Sequence, residues 1–334
     1  MRTPPQFPLA RQSAGVAPPR LPGSIRRTTS IDSTWPDGAS APRLMIGHAR
    51  DIITPLDGSE PVVIAEASYR LRVSPMREIL EIATEPADPR MAGLVGTRAG
   101  GESRKRIAAT VGDLAGGPLY QILDDFAGAS LVALWVWSQW HEDWKAFANA
   151  PAQQQSHGRR GNMLDICTGF AEGSSALGEA GMRVESFLDP VRIGTLANPD
   201  DPAGWHPLPD LTGPAMRRSR RIDLWRQGNL LMVDTGFQDG GTSPAGGLRG
   251  VHEYRVHAEI DPASQTLLAM QALPLILPFP ECPGASIKAS RMVGHRVDEF
   301  RDTVLTTLEG TLGCTHLNDV LRALADVPAM ARHL

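Results

Sequence analysis

Val95-Gly96-Thr97-Arg98 returns 198 positions later as Val293-Gly294-His295-Arg296, and this recurrence decides how the chain is read. At the same offset, with no gap, Gly112 meets Gly310, Leu114 meets Leu312, Leu119 meets Leu317, Leu123 meets Leu321 and Ala127 meets Ala325. That gives 8 identities in 33 positions. Chance would give about 2 at ordinary residue frequencies. Upstream landmarks recur in the same order. Arg26-Arg27 leading to Ile31-Asp32 is echoed by Arg217-Arg218 leading to Ile222-Asp223, and Tyr69-Arg70-Leu71 by Tyr254-Arg255-Val256. The expectation is a tandem duplication of one module of roughly 110 residues.

Each copy has the same grammar. Strand-like segments cover 43–54, 62–73 and 79–84 in copy one, and 230–237, 251–260 and 266–273 in copy two. The turns Ser74-Pro75-Met76-Arg77 and Asp261-Pro262-Ala263-Ser264 join neighbouring strands as hairpins. Helices follow, over 101–111 and 118–126, then 298–308 and 316–324. Strands followed by helices in one unit indicate an α+β fold: a β-meander plus two helices, built twice. The division is a disordered leader (1–24), degenerate module copy one (25–130), a helical and irregular insert (131–213) and module copy two (214–334). The leader holds six prolines and few large apolar residues, a composition that does not build a core. In the insert, Trp137, Trp140, His141 and Trp144 share one helical face. They read either as a stripe packing onto the modules or as the wall of a ligand pocket.

Composition narrows the function classes. With 334 residues, 42% hydrophobic and 21% charged, the chain fits about two globular domains. A net charge of −4 does not favour nucleic acid or an anionic membrane as partner. The arginine clusters at 104–106 and 217–221 have acidic neighbours and read as solvated faces. Three cysteines, Cys167, Cys282 and Cys314, with no signal-peptide pattern, suggest the cytoplasm. No apolar run of the ~18 residues needed for a membrane span is evident. Phosphate-loop, dinucleotide and nucleophile-elbow patterns are missing, so no nucleotide cofactor is expected.

Copy two resembles the bacterial family known as domain of unknown function 2889. The residues that carry the resemblance are Arg217-Arg218 with Ile222, Val251-His252-Glu253, the segment Pro278-Phe279-Pro280-Glu281-Cys282-Pro283, Met292-Val293-Gly294 and Leu312-Gly313-Cys314-Thr315-His316-Leu317. The whole chain is similar to the longer, two-copy form of that family. The family name implies no activity. Copy one has Gly116-Gly117-Pro118-Leu119 where copy two has Cys314-Thr315-His316-Leu317, so any chemistry of that motif belongs to copy two.

Thr315 is a natural N-cap, which makes His316 the first helical residue, where copy one has Pro118. A helix N-terminus disfavours imidazolium and favours thiolate. His316 is therefore expected neutral and Cys314 drawn toward thiolate. His252 and His257 resemble a zincin pair with one residue too many; on a strand they face opposite ways, and a zincin site is rejected. His252 alone reads as a core histidine or a ligand. Catalytic candidates are His316, Cys314, His252 and Asp165; the candidate metal set is Cys282, Cys314, His316 and His252, suited to Zn or Fe. The expected function is a lyase or hydrolase using acid–base chemistry on a small organic acid, aromatic or terpenoid. The alternative is a non-catalytic small-molecule-binding or assembly protein, and a homodimer stays open.

Overall fold

The structure is a computed structural model and describes residues 7, 11–141, 163–178 and 189–334. The first half contains strands β1 (Ser24–Thr34), β2 (Arg43–Thr54), β3 (Val62–Val73) and β4 (Ile79–Glu85), then helices α1 (Gly101–Val111) and α2 (Pro118–Val132). A short α3 (Trp137–Trp140) and β5 (Val191–Ile193) lie between the halves. The second half contains β6 (Ala215–Gln227), β7 (Leu230–Thr242), β8 (Leu248–Asp261) and β9 (Thr266–Ile276). Helices α4 (Gly284–Lys288), α5 (Phe300–Thr307), α6 (Thr315–Ala323) and α7 (Val327–Met330) complete it.

All nine strands form one antiparallel sheet in the order β4-β3-β2-β1-β6-β7-β8. On its far side β8 pairs with β5 through Leu248–Gly250 and with β9 from Glu253 to Asp261. The fold is mixed α+β. From the centre outward the two halves run in the same strand order. Leu119 and Leu123 pack with Ile31, Met45 and Phe126 in one core; Leu317 and Leu321 pack with Ile222, Val233 and Phe300 in the other.

Smaller features recur as well. Gly96 N–H donates to Ile79 O (2.8 Å) and Gly294 N–H to Leu267 O (2.8 Å). Arg77 (φ 65°) and Gln265 (φ 58°) are both left-handed, and each carbonyl accepts the N–H of the residue directly after the Val-Gly-x-Arg segment, Ala99 and Val297. The strand register sets a different alignment for one landmark. Ala65 lies opposite Asp51 as His252 lies opposite Asp239, so Ala67, not Tyr69, stands where Tyr254 does.

The central strand β1 pairs along its whole length with β6, from Ser24–Trp225 to Thr34–Ala215. Both are polar in sequence and buried on both faces. The solvated-face reading of the second arginine cluster is therefore wrong: Arg217, Arg218, Arg220 and Arg221 are at most 8% exposed. Alternation sends successive arginines to opposite faces, and each face supplies carboxylates. On one face Arg26 clamps Asp223 (2.5 and 2.9 Å) and, reciprocally, Arg217 clamps Asp32 (2.6 and 2.7 Å). On the helix face Arg27 clamps Asp51 (2.6 and 2.6 Å) and Arg218 clamps Asp239 (2.8 and 3.0 Å), using the same atoms. Arg104 of the other cluster ion-pairs with buried Asp319 at 2.5 Å.

The face away from the helices is covered by two extended stretches. Residues 11–23, expected as part of a disordered leader, lie against the sheet. Ala14 N–H donates to Glu253 Oε1 (2.6 Å), Pro18 O accepts from Arg26 (2.7 Å), and Arg20 pairs with Asp201 (2.7 Å). The connector before β6 puts His206 on Thr28 and Ser30. Buried hydrogen bonds contribute about 0.5–1.5 kcal/mol each. Deleting residues 1–20 should therefore lower the melting temperature by about 4 °C or more, at ~2–4 °C per kcal/mol. A calorimetric midpoint unchanged to within a degree would mean that this segment contributes nothing.

Helix α2 extends six residues beyond the expected Phe126, to Val132. The run Pro118–Trp140 has 23 residues, and an 18-residue window within it has a mean hydropathy of 1.2, long and apolar enough to cross a bilayer, contrary to the expectation from sequence. It is nevertheless a core helix, with 83% of that window buried in the protein. Trp137 packs edge-on against Trp35 (5.4 Å), and Trp140 Nε1 donates to Thr242 O (3.1 Å). Trp137 and Trp140 of the expected stripe thus pack onto the sheet and its loops; Trp144 lies outside the described residues.

Candidate functional site

Asp239 on β7 and His252 on β8 are register partners, beside a bulge just after Asp239. The first turn of α6 brings His316 over them. The two imidazoles stack with centroids 3.4 Å apart and planes 18° apart. Both approach the same carboxylate oxygen: His252 Nδ1 is 3.5 Å and His316 Nε2 3.9 Å from Asp239 Oδ2. One ligand atom from each of the three residues lies within 4.8 Å of the others. Among the described residues this is the group of three metal-capable side chains that converges.

The carboxylate has a built support. Arg218 holds both oxygens of Asp239 and extends Nη1 to Asp319 Oδ2 (2.9 Å). A Cβ on Gly128 of α2 would come within 2.2 Å of Arg218 Nη1, so glycine there lets the helix lie close over the pair. Burial alone would raise the pKa of Asp239. The charge of Arg218, with contributions from His252 and His316, outweighs it and holds the carboxyl well below its usual range.

The cap of α6 differs by one residue from expectation. Cys314 is the extended N-cap, Thr315 begins the helix, and His316 is second. The N-terminal dipole was expected to draw Cys314 toward thiolate. Instead burial raises its pKa, outweighing the Tyr254 hydroxyl that donates to its sulfur at 3.4 Å and the amides of Leu317 and His316. Desolvation acts on the whole thiolate charge, whereas the helix end supplies only a partial one. Cys314 Sγ stands 4.0 Å from His316 Nδ1.

The expected set Cys282, Cys314, His316 and His252 is not gathered around one point. Cys282 lies with Cys167 and within electrostatic reach of Cys314, away from the group formed by the two histidines: a Cβ on Gly169 would lie 2.6 Å from the Cys282 sulfur and 4.0 Å from that of Cys167. Both thiols are buried; Cys282 is pushed well above its ordinary value and Cys167 up to about 12, mainly by desolvation. Asp165 is also apart. It occupies an exposed left-handed turn (φ 60°), its carboxylate accepting from Glu172 N–H (3.1 Å). His257 faces away from His252 and lies 3.2 Å from Asp234.

Asp239 was missed because the sequence reading ended its strand at Phe237. One signal pointed to it. In each half a carboxylate follows the second arginine of the pair, Asp51 by 24 residues and Asp239 by 21. The first half has the same Arg27–Asp51 clamp, but Ala65 is the register partner of Asp51 as His252 is of Asp239, and Pro118 opens α2.

The site is thus a histidine pair on an arginine-fixed carboxylate, carried by the second half of an antiparallel α+β sheet protein. Residues 216–330 match the family described as Protein of unknown function (DUF2889), the stretch from which the resemblance was read. Searches of curated proteins and of solved structures gave no match. A cleft of about 240 Å³, lined by Arg226, Leu231, Ile260, Val297 and Val327, does not touch the histidines.

Proposed function

We propose that the second half carries the catalytic site of an enzyme, a lyase or hydrolase acting by acid–base chemistry on a small organic molecule, and that the first half is its duplicated, emptied copy. The observation that carries the reading is the contact pair of imidazoles over one buried carboxylate. Two rings in contact do not cheaply carry two positive charges, so one imidazole is suited to accept a proton while the other donates. Asp239, fixed by Arg218, orients both. Duplication is supported by the reciprocal Arg26–Asp223 and Arg217–Asp32 clamps and by the recurring turn hydrogen bonds. Because Trp35, Trp137 and Trp140 are packing residues, the substrate proposal keeps only a small organic molecule, with no aromatic preference.

Pro118 shows that the helix start tolerates proline near this position. His316→Pro, or His316→Ala, should cost under about 1.5 kcal/mol of stability. It should also reduce turnover at least ~100-fold, as expected for loss of a general acid or base. The substrate is sought first by ligand-induced melting shifts across carboxylic acids, esters and thioesters. Turnover unchanged in both variants would remove His316 from the chemistry. If a compound binds tightly and is never converted, the non-catalytic binding protein is the better description.

A further inference from the structure

We propose that Asp239, His252 and His316 take one divalent transition-metal ion, through Oδ2 and one ring nitrogen of each imidazole. This rests on the same site and specifies its chemistry. A tetrahedral ion with bonds of ~2.1 Å holds its ligand atoms about 3.4 Å apart. The observed separations from Oδ2, 3.5 and 3.9 Å, are within small side-chain rotations of that spacing.

Three further observations point the same way. First, the carboxylate is oriented from outside by Arg218, itself anchored on Asp319, in the manner of the outer partners that fix metal ligands. Second, the equivalent clamp Arg27–Asp51 stands in the first half without imidazoles, beside Ala65 and Pro118. The fold therefore does not need the two histidines to join β7 to β8 or to open α6. Third, two nitrogens and one oxygen, with a sulfur 4.0 Å from His316, suit Zn²⁺, Fe²⁺ or Co²⁺ better than Mg²⁺ or Ca²⁺, which prefer oxygen alone. Three protein ligands leave a position for water or substrate, the pattern of a catalytic rather than a structural ion.

The test uses the full chain, stripped with chelator and titrated with Zn²⁺ and with Co²⁺, in equilibrium dialysis and by absorption. The expected result is one ion per chain and a cobalt ligand-field spectrum. His252→Ala and His316→Ala should each weaken Zn²⁺ at least ~100-fold, the upper range for loss of even an outer partner. Cys282→Ala should leave binding unchanged. Where an alanine variant does not fold, the glutamine variant takes its place. No binding by the wild type, or binding retained in both histidine variants, overturns the proposal. Because the readout needs no substrate, it separates from the acid–base reading: metal-free protein that still turns over through His316 removes the ion and keeps the catalytic pair.

Discussion

Asp124→Asn should lower the melting temperature by on the order of 10 °C. Asp124 lies on α2, about 5% exposed, and receives three charged hydrogen bonds from the other half. Arg322 donates to both of its oxygens (2.7 and 2.9 Å) and Arg301 to Oδ2 (2.8 Å). Burial works against its charge, yet Arg301, Arg322 and Arg104 together hold its pKa below the ordinary value. Removing one partner of a buried ion pair typically costs about 3–5 kcal/mol, because the other charge stays buried. At ~2–4 °C per kcal/mol this gives the stated shift. Arg301 keeps Asp326 (2.6 Å) and the Tyr120 ring, so Arg322 bears most of the loss. Arg220–Asp125, Arg104–Asp319 and Arg27–Asp326 also cross between the halves, so unfolding should remain a single transition. A calorimetric shift below 2 °C would show that the cross-half network contributes little. Replacing the pair together, Asp124→Leu with Arg322→Met, should recover much of the stability.

Acid should weaken the protein from pH 6.5 downward, through His206. Its Nδ1 lies 2.8 Å from Thr28 Oγ1 and its Nε2 2.7 Å from Ser30 Oγ, under the connector that covers β1. Desolvation, reinforced by His48, Arg50 and Arg217, holds its pKa down to about 3. In the unfolded chain a histidine takes a proton near pH 6.5. Between those values the unfolded state binds more protons than the native one. The stability is therefore fully present above about pH 6.5 and falls as pH drops toward 3, by up to about 1.4 kcal/mol per unit. His206→Gln should be less stable at pH 7 but markedly flatter between pH 6.5 and 4. Urea midpoints across that range measure it, and parallel slopes in the two proteins would rule His206 out as the source. Asp124, Asp201 and Asp234, whose pKa values are depressed by their arginines against the effect of burial, add to the loss only at lower pH, where unfolded carboxyls protonate near 4.

Local signals were enough for the outer parts of the fold. Strands β2 and β3 have the ends expected of them, because alternating residues and bounding turns are properties of a few neighbours. Helix α1 runs over 101–111 as read, and the turns at 74–77 and 261–264 join hairpins. His252, Cys314 and His316 were singled out by the strand face and the helix start on which they sit. The central strands were not legible as strands. Their sequence is arginine, threonine, serine and aspartate, and what makes burial tolerable is carboxylate supplied from afar: Asp223 is 197 residues from Arg26, and Asp326 is 299 from Arg27. Asp239 was hidden differently, by a strand that runs past its expected end at Phe237, whereas the docking of residues 11–23 was hidden by distance along the chain. Distance also reversed the expected state of Cys314, since a helix end acts locally while desolvation is set by everything packed around the thiol. The sequence alone determined which segments become strands and helices around the periphery and which histidines merit attention. The tertiary structure decided which charges are buried, which carboxylate the histidines share and which thiols stay protonated, because those depend on partners that only folding brings within a few ångströms.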